Sequence, residues 1–196
     1  MKAMTDTVPE KTMTDEDLMM QVRRGDEHAF RRIVERHQTS VYQLCYQFTG
    51  NRADAEDTAQ EVFIRLYRSR ERYRPSARLS TYLYRIAVNL SLNAVRNRKR
   101  RRWMPFLDNK EASMQTPFQD TQNPEVSFEQ QELADAVRDA IGRLPEQQRT
   151  AVILKRYHGM SYQEISTVMA CSVSSVEARL HRARLKLKRW LAPYVE

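Results

Sequence analysis

The chain has little of what holds disulfide-stapled, metal-bound or membrane-embedded proteins together. Its two cysteines, Cys45 and Cys171, form no CxxC pair and have no companion histidine at ligand spacing. That pattern argues against a disulfide framework and a zinc site, and both are expected to be small core residues. Glycine (4) and proline (7) are sparse, whereas strand-rich folds usually need more turn residues, so the composition favours helices. No stretch approaches the roughly 18 apolar residues of a membrane span. The polar segment Met1 to Thr12 lacks the apolar run of a signal peptide, so the protein is expected to be cytoplasmic. There is no phosphate-cradling glycine loop, and His28, His37, His158 and His181 are scattered. Nothing therefore points to an enzyme, and no catalytic residue, metal or cofactor is expected.

What is present is a 196-residue chain with 41% apolar and 30% charged residues, long enough for one or two domains with real hydrophobic cores. Its net charge of +8 favours a polyanionic partner, because each cation placed beside a phosphate releases condensed counterions. Apolar residues recur at helical spacing from Leu18 to Val95 and again from Leu133 to Leu191. Between them, Pro105, Pro117 and Pro124 punctuate a polar stretch, with Asp108, Glu111, Asp120 and Glu125 against the single cation Lys110. These patterns predict an all-α chain of two small helical domains joined by a flexible linker. The expected divisions are a tail at 1–12, a first domain at 13–102, a linker at 103–128 and a second domain at 129–196.

In the first block, Thr14 and Asp17 resemble a capping box, with Gly25 closing that helix. A second helix is expected from about Asp26 to Thr49, ended by Gly50 and Asn51, and a third beginning at Asp54. The third carries an apolar stripe of Ala55, Ala59, Val62, Phe63 and Leu66. Beside it run Asp57, Gln60, Glu61 and Ile64, an acidic and aliphatic strip in an otherwise basic protein. Such a strip suits a protein partner, although from the residues alone a solvated face supported by a Glu61–Arg65 pair is the preferred reading.

The segment Arg74-Pro75-Ser76-Ala77-Arg78 reads as a basic loop stiffened by proline. A long helix is expected to start after it at Ser80 or Thr81, with Leu83, Ile86, Ala87, Leu90 and Ala94 buried. Its other face carries Tyr82, Arg85, Asn89, Asn93 and Arg96: an aromatic plane, amides and cations at helical spacing. Those groups suit unpaired nucleotides, whose bases offer a face for stacking and a free edge for hydrogen bonds. Arg96 to Arg102 then places six basic residues in seven positions, suited to tracking a phosphate backbone.

In the second block, Leu144-Pro145-Glu146 predicts a helix start with proline in the first turn, and Gly159 its end. Ser161 and Glu164 form a capping box opening a short helix through Met169. Ser174 and Glu177 suggest a second box opening the next, with Val176, Leu180, Ala183, Leu187 and Leu191 inward. Two helices across so short a turn have helix-turn-helix spacing. Since the second helix of that motif enters the major groove with its N-terminal half, Ser175, Glu177, Ala178, Arg179, His181 and Arg182 are the base-reading candidates, and Arg184 and later cations suit phosphates. Arginine's two-bond match to guanine singles out Arg179 and Arg182.

These residues resemble the extracytoplasmic-function sigma factors, the smallest members of the sigma-70 family. Asp54 to Phe63 is similar to that family's core-polymerase-binding helix, and Thr81 to Asn89 to its minus-10-reading helix. Leu144 to Arg149, Ser161 to Ile165 and Val176 to Arg184 are similar to its minus-35-reading domain. The resemblance implies core RNA polymerase and promoter DNA as partners, with Asp54, Asp57, Gln60, Glu61 and Ile64 on the polymerase. It also implies that Arg74 to Arg78 and Asn89 hold a flipped base, that the acidic linker follows the RNA-exit path, and that an anti-sigma factor holds activity off. Two departures stand out: Tyr82 where the family often has tryptophan, and Ser174-Ser175 where it often has Gly-Thr. A helix-turn-helix regulator that works without polymerase is the alternative, but it leaves the acidic strip and the strand-facing helix without a task.

Overall fold

A computed structural model describes residues 13–74, 78–102 and 128–194. All regular structure among them is helical. The first four helices are α1 (Asp15–Arg23), α2 (Glu27–Thr49), α3 (Arg52–Arg68) and α4 (Leu79–Arg102). After the span 103–127 come α5 (Phe128–Gly142), α6 (Glu146–Tyr157), α7 (Tyr162–Met169) and α8 (Val173–Leu191), the last running into a 3₁₀ turn at Ala192–Tyr194. No helix among the described residues is long and apolar enough to cross a membrane. The expected tail, most of the expected linker and Ser76 lie outside the described residues.

Local sequence sets most helix ends. Thr14 and Asp17 close the reciprocal capping box on α1, and Asp26 caps α2 by accepting from the amides of His28 and Ala29 at 2.8 and 3.1 Å. Gly50, at φ 64°, ends α2 in the left-handed region that glycine enters without steric cost. Asn51 does not end that helix but starts the next, its side chain accepting from the Asp54 amide at 3.0 Å, so α3 begins at Arg52 rather than Asp54.

In the first half, α2, α3 and α4 pack on one another and α1 lies on α2. The Asp15 carboxylate ties α1 down by accepting from Arg36 at 3.1 Å and meeting His37 Nε2 at 2.7 Å. The expected stripe of α3 is buried throughout. That of α4 is rotated: Leu79, Leu83, Ala87, Val88 and Ser91 are buried, while Ile86, Leu90 and Ala94 are half-buried. Cys45 is fully buried, and desolvation pushes its thiol up to about 11, against a weaker lowering by the Ser91 hydroxyl. It is a core residue of low reactivity. Cys171 departs from expectation, being half-buried at the turn before α8.

In the second half, α8 packs against α5, α6 and α7. Pro145 precedes α6 in the N-cap position instead of lying in its first turn. Val176 and Ala183 are buried, but Leu180, Leu187 and Leu191, expected in the same inward stripe, are half-buried. They wall an open groove of about 1040 Å³ shared with Val137, Ile141 and Val152.

Candidate functional site

Three surfaces carry the residues singled out above. On α3, Asp57, Gln60 and Ile64 are exposed, and Ile64 retains 43% of its accessible surface. Spacings of three and four residues put them on one face with Glu61. Glu61 accepts from Arg65 at 2.8 Å, which holds its carboxylate on this face. Asp54 stands at the N-terminal end of the strip, 3.4 Å from Arg98 of α4. The strip thus presents one exposed aliphatic group among acids and an amide.

On α4, Arg85, Asn89, Asn93 and Arg96 are all exposed along one face. Tyr82 is less available than the sequence suggests. Its hydroxyl lies 3.1 Å from the Ser69 hydroxyl, its ring meets Tyr73 edge-on at 5.5 Å, and the Arg85 guanidinium sits 5.2 Å over its face. Arg85 therefore covers one face of the Tyr82 ring. Ahead of the helix, Arg74 turns onto backbone carbonyls of Glu71 and Tyr73, and Arg78 is exposed. The helix continues through the basic run to Arg102, with Arg100 donating to Asn97 at 3.2 Å.

The third surface is α8. Ser161 and Glu164 form the full capping box on α7, and a three-residue turn, Ala170 to Ser172, leads into α8. The cap of α8 is Ser172 and not Ser174: its hydroxyl accepts from the Ser175 amide at 3.2 Å, so the helix begins at Val173 and no Ser174–Glu177 box forms. Ser175 thus lies in the first turn, its hydroxyl 2.9 Å from that of Ser172. Glu177, His181, Arg182 and Arg184 are exposed and Ala178 is half-buried. Arg179 differs from Arg182: it is half-buried and donates to the sulfurs of Cys171 at 3.0 Å and Met169 at 3.9 Å, across the turn.

Some residues at the surface of these elements were not singled out by sequence. Glu146 and Glu164 reach Arg96 and Arg78 of the first half, and His158 meets Gln47 and Tyr84. Glu164 read as a capping residue, which it is, and nothing local marks its second contact.

Family models decide what these surfaces belong to. Residues 33–101 match sigma-70 region 2 and residues 134–187 match sigma-70 region 4. The chain is 35% identical over 182 residues to the RNA polymerase sigma-H factor of Pseudomonas aeruginosa, covering 91% of this chain and 94% of that one. It is 36% identical over 179 residues to the ECF RNA polymerase sigma factor SigW of Bacillus subtilis, covering 87% and 93%. The chain is an ECF sigma factor. Its fold is similar to that of CnrH, solved in complex with the cytosolic domain of CnrY (TM-score 0.68, 26% identity, covering 91% of this chain and 97% of that one). The fold also matches the sigma factor RpoE of Bartonella quintana, solved with the anti-sigma factor NepR (TM-score 0.64, 18% identity, covering 83% and 96%). Region 2 of this sigma factor contains the α3 strip and the exposed α4 face, and region 4 contains the α7–α8 helix-turn-helix.

Proposed function

We propose that this ECF sigma factor is a promoter-specificity subunit that acts in the cytoplasm, has no catalytic chemistry of its own, and is held inactive by an anti-sigma factor. The exposed α3 strip of Asp57, Gln60, Glu61 and Ile64, with Asp54 at its end, docks core RNA polymerase. The face of α4, with Arg74, Ser76 and Arg78 ahead of it, takes the minus-10 element, Asn89 and Asn93 offering amides to base edges while Arg85 and Arg96 meet phosphates. The α8 residues Ser175, Glu177, Ala178, Arg179, His181, Arg182 and Arg184 take the minus-35 element in the major groove.

The observation that carries this reading is the α3 strip: an exposed aliphatic residue flanked by acids, in a chain of net charge +8. A protein that only bound DNA would gain nothing by it, because acids there repel phosphate. The test is Asp57→Arg. The side chain is exposed, so the fold and its melting temperature are expected to hold while binding to core polymerase is lost. Normal holoenzyme assembly by the variant would remove α3 from the interface.

A further inference from the structure

Arg179 stands apart from the other arginines of α8 in where it lies and in what holds it. It comes three residues after Val176 and four before Ala183, both fully buried, so it borders the inward face of the helix. His181 and Arg182 follow Ala178 by three and four residues and form the outward ridge, where both are exposed. Helical side chains lean toward the helix N-terminus, and Arg179 reaches back along α8 to the turn from α7. There its Nη1 donates to Cys171 Sγ at 3.0 Å and to Met169 Sδ at 3.9 Å. The two sulfurs come from either side of Ala170, the residue that turns the chain at φ 48°.

The choice of sulfur matters. A carboxylate would fix the guanidinium and also cancel its charge, whereas thiol and thioether sulfurs are weak acceptors that orient it and leave the charge in place. Arg179 makes no ion pair among the described residues, and its Nε and Nη2 donors have no hydrogen-bond partner there. The guanidinium is a rigid planar fork, so fixing Nη1 also settles where the other donors point. In a helix-turn-helix the outward ridge of the second helix faces the base edges, and its flank beside the turn then lies nearest the phosphates that bound the groove.

We propose that Cys171, together with Met169, is a positioning residue for minus-35 binding: the two sulfurs hold Arg179 at the edge of α8, where its free donors meet a backbone phosphate and not a base. Arg179 then fixes the register of α8 in the groove, and Arg182 on the outward ridge reads sequence against that register. The inference rests on α8 being the helix that takes the minus-35 element, as argued above. A guanidinium already held in place loses less side-chain freedom on binding than a loose one, so the sulfurs contribute affinity without touching DNA.

The experiment measures binding of holoenzyme to promoters carrying each base at each minus-35 position, over a range of salt, for the wild-type chain, Arg179→Ala, Cys171→Ala, Cys171→Ser and the Cys171→Ala, Arg179→Ala pair. Arg179→Ala is expected to weaken binding about ten-fold on every sequence alike and to reduce the salt slope by about one. Cys171→Ala is expected to weaken it about two- to ten-fold, again on every sequence. That loss vanishes in the Arg179→Ala background, because the thiol acts only through Arg179. Serine, whose hydroxyl also accepts, restores most of the affinity. Met169→Leu removes the second acceptor at nearly constant volume and shows the same coupling in smaller size, which keeps the test open should alanine at 171 loosen the turn. Losses that add in the double variant make Cys171 a packing residue and overturn the positioning role. Relaxed preference at one base pair with an unchanged salt slope on Arg179→Ala overturns the phosphate contact. Failure of the minus-35 reading would appear separately, as wild-type holoenzyme binding that does not depend on the minus-35 sequence.

Discussion

Arg182 and Arg179 lie one turn apart on α8, in different surroundings. Arg182 is exposed, whereas Arg179 is tethered across the turn to Cys171 and Met169. Arg182→Ala therefore removes a reaching cation and little packing, and the fold should be unchanged. If Arg182 makes the two-bond contact with guanine, its loss costs about 1 to 3 kcal/mol at one base pair of the upstream element, which is about five- to 150-fold in affinity. The assay is holoenzyme binding to promoters carrying each base at each minus-35 position, repeated across salt concentrations. The expected result is relaxed preference at a single position with the salt slope nearly unchanged. A loss equal on all sequences, with the slope reduced by about one, would make Arg182 a phosphate contact and refute the assignment.

Two further outcomes follow from the second half. Ala170 holds φ 48° in the turn between α7 and α8, a conformation that costs a residue with a Cβ about 1 kcal/mol or more; Ala170→Gly should raise stability by about 1 kcal/mol, read as a melting temperature higher by roughly 4 °C, and no rise would contradict the strain. Burial lowers the His158 pKa from 6.5 to about 4, so the folded chain cannot readily accept the proton that an exposed imidazole takes up. The stability that depends on neutral His158 is thus complete above pH 6.5 and is lost as pH falls toward 4, by about 2 kcal/mol at pH 5. An NMR titration placing His158 near 6.5 in the intact chain would contradict its burial against Gln47 and Tyr84.

Much of the helical framework is legible because short-range chemistry sets it. Thr14 with Asp17 and Ser161 with Glu164 satisfy their helix starts within four residues, and Gly25, Gly50 and Gly159 all take positive φ beside helix ends. The errors occur where several residues qualify for one role. Asn51 suits a helix end and a helix start, and its amide oxygen decides for the start. Ser172, Ser174 and Ser175 are all competent caps, and Ser172 takes the role, leaving Val176 in the core. The α4 stripe is misread by periodicity alone because that helix packs on α2, α3 and α7 at once, so few of its positions belong to a single buried side. The exposed strips of α3 and α4 follow from spacing. The partners of Arg78 and Arg96 do not, since Glu164 and Glu146 lie many residues away and meet them only through tertiary packing.

The central claim is that one chain both joins polymerase and chooses the promoter. The most direct measurement is transcription from a randomised promoter library by sigma-free core polymerase, with and without this protein. The account predicts protein-dependent transcripts enriched for two sequence motifs at fixed spacing, and no such enrichment with Asp57→Arg. Binding to DNA without binding to core polymerase, and with no protein-dependent transcripts, would contradict it and leave a helix-turn-helix regulator that works alone.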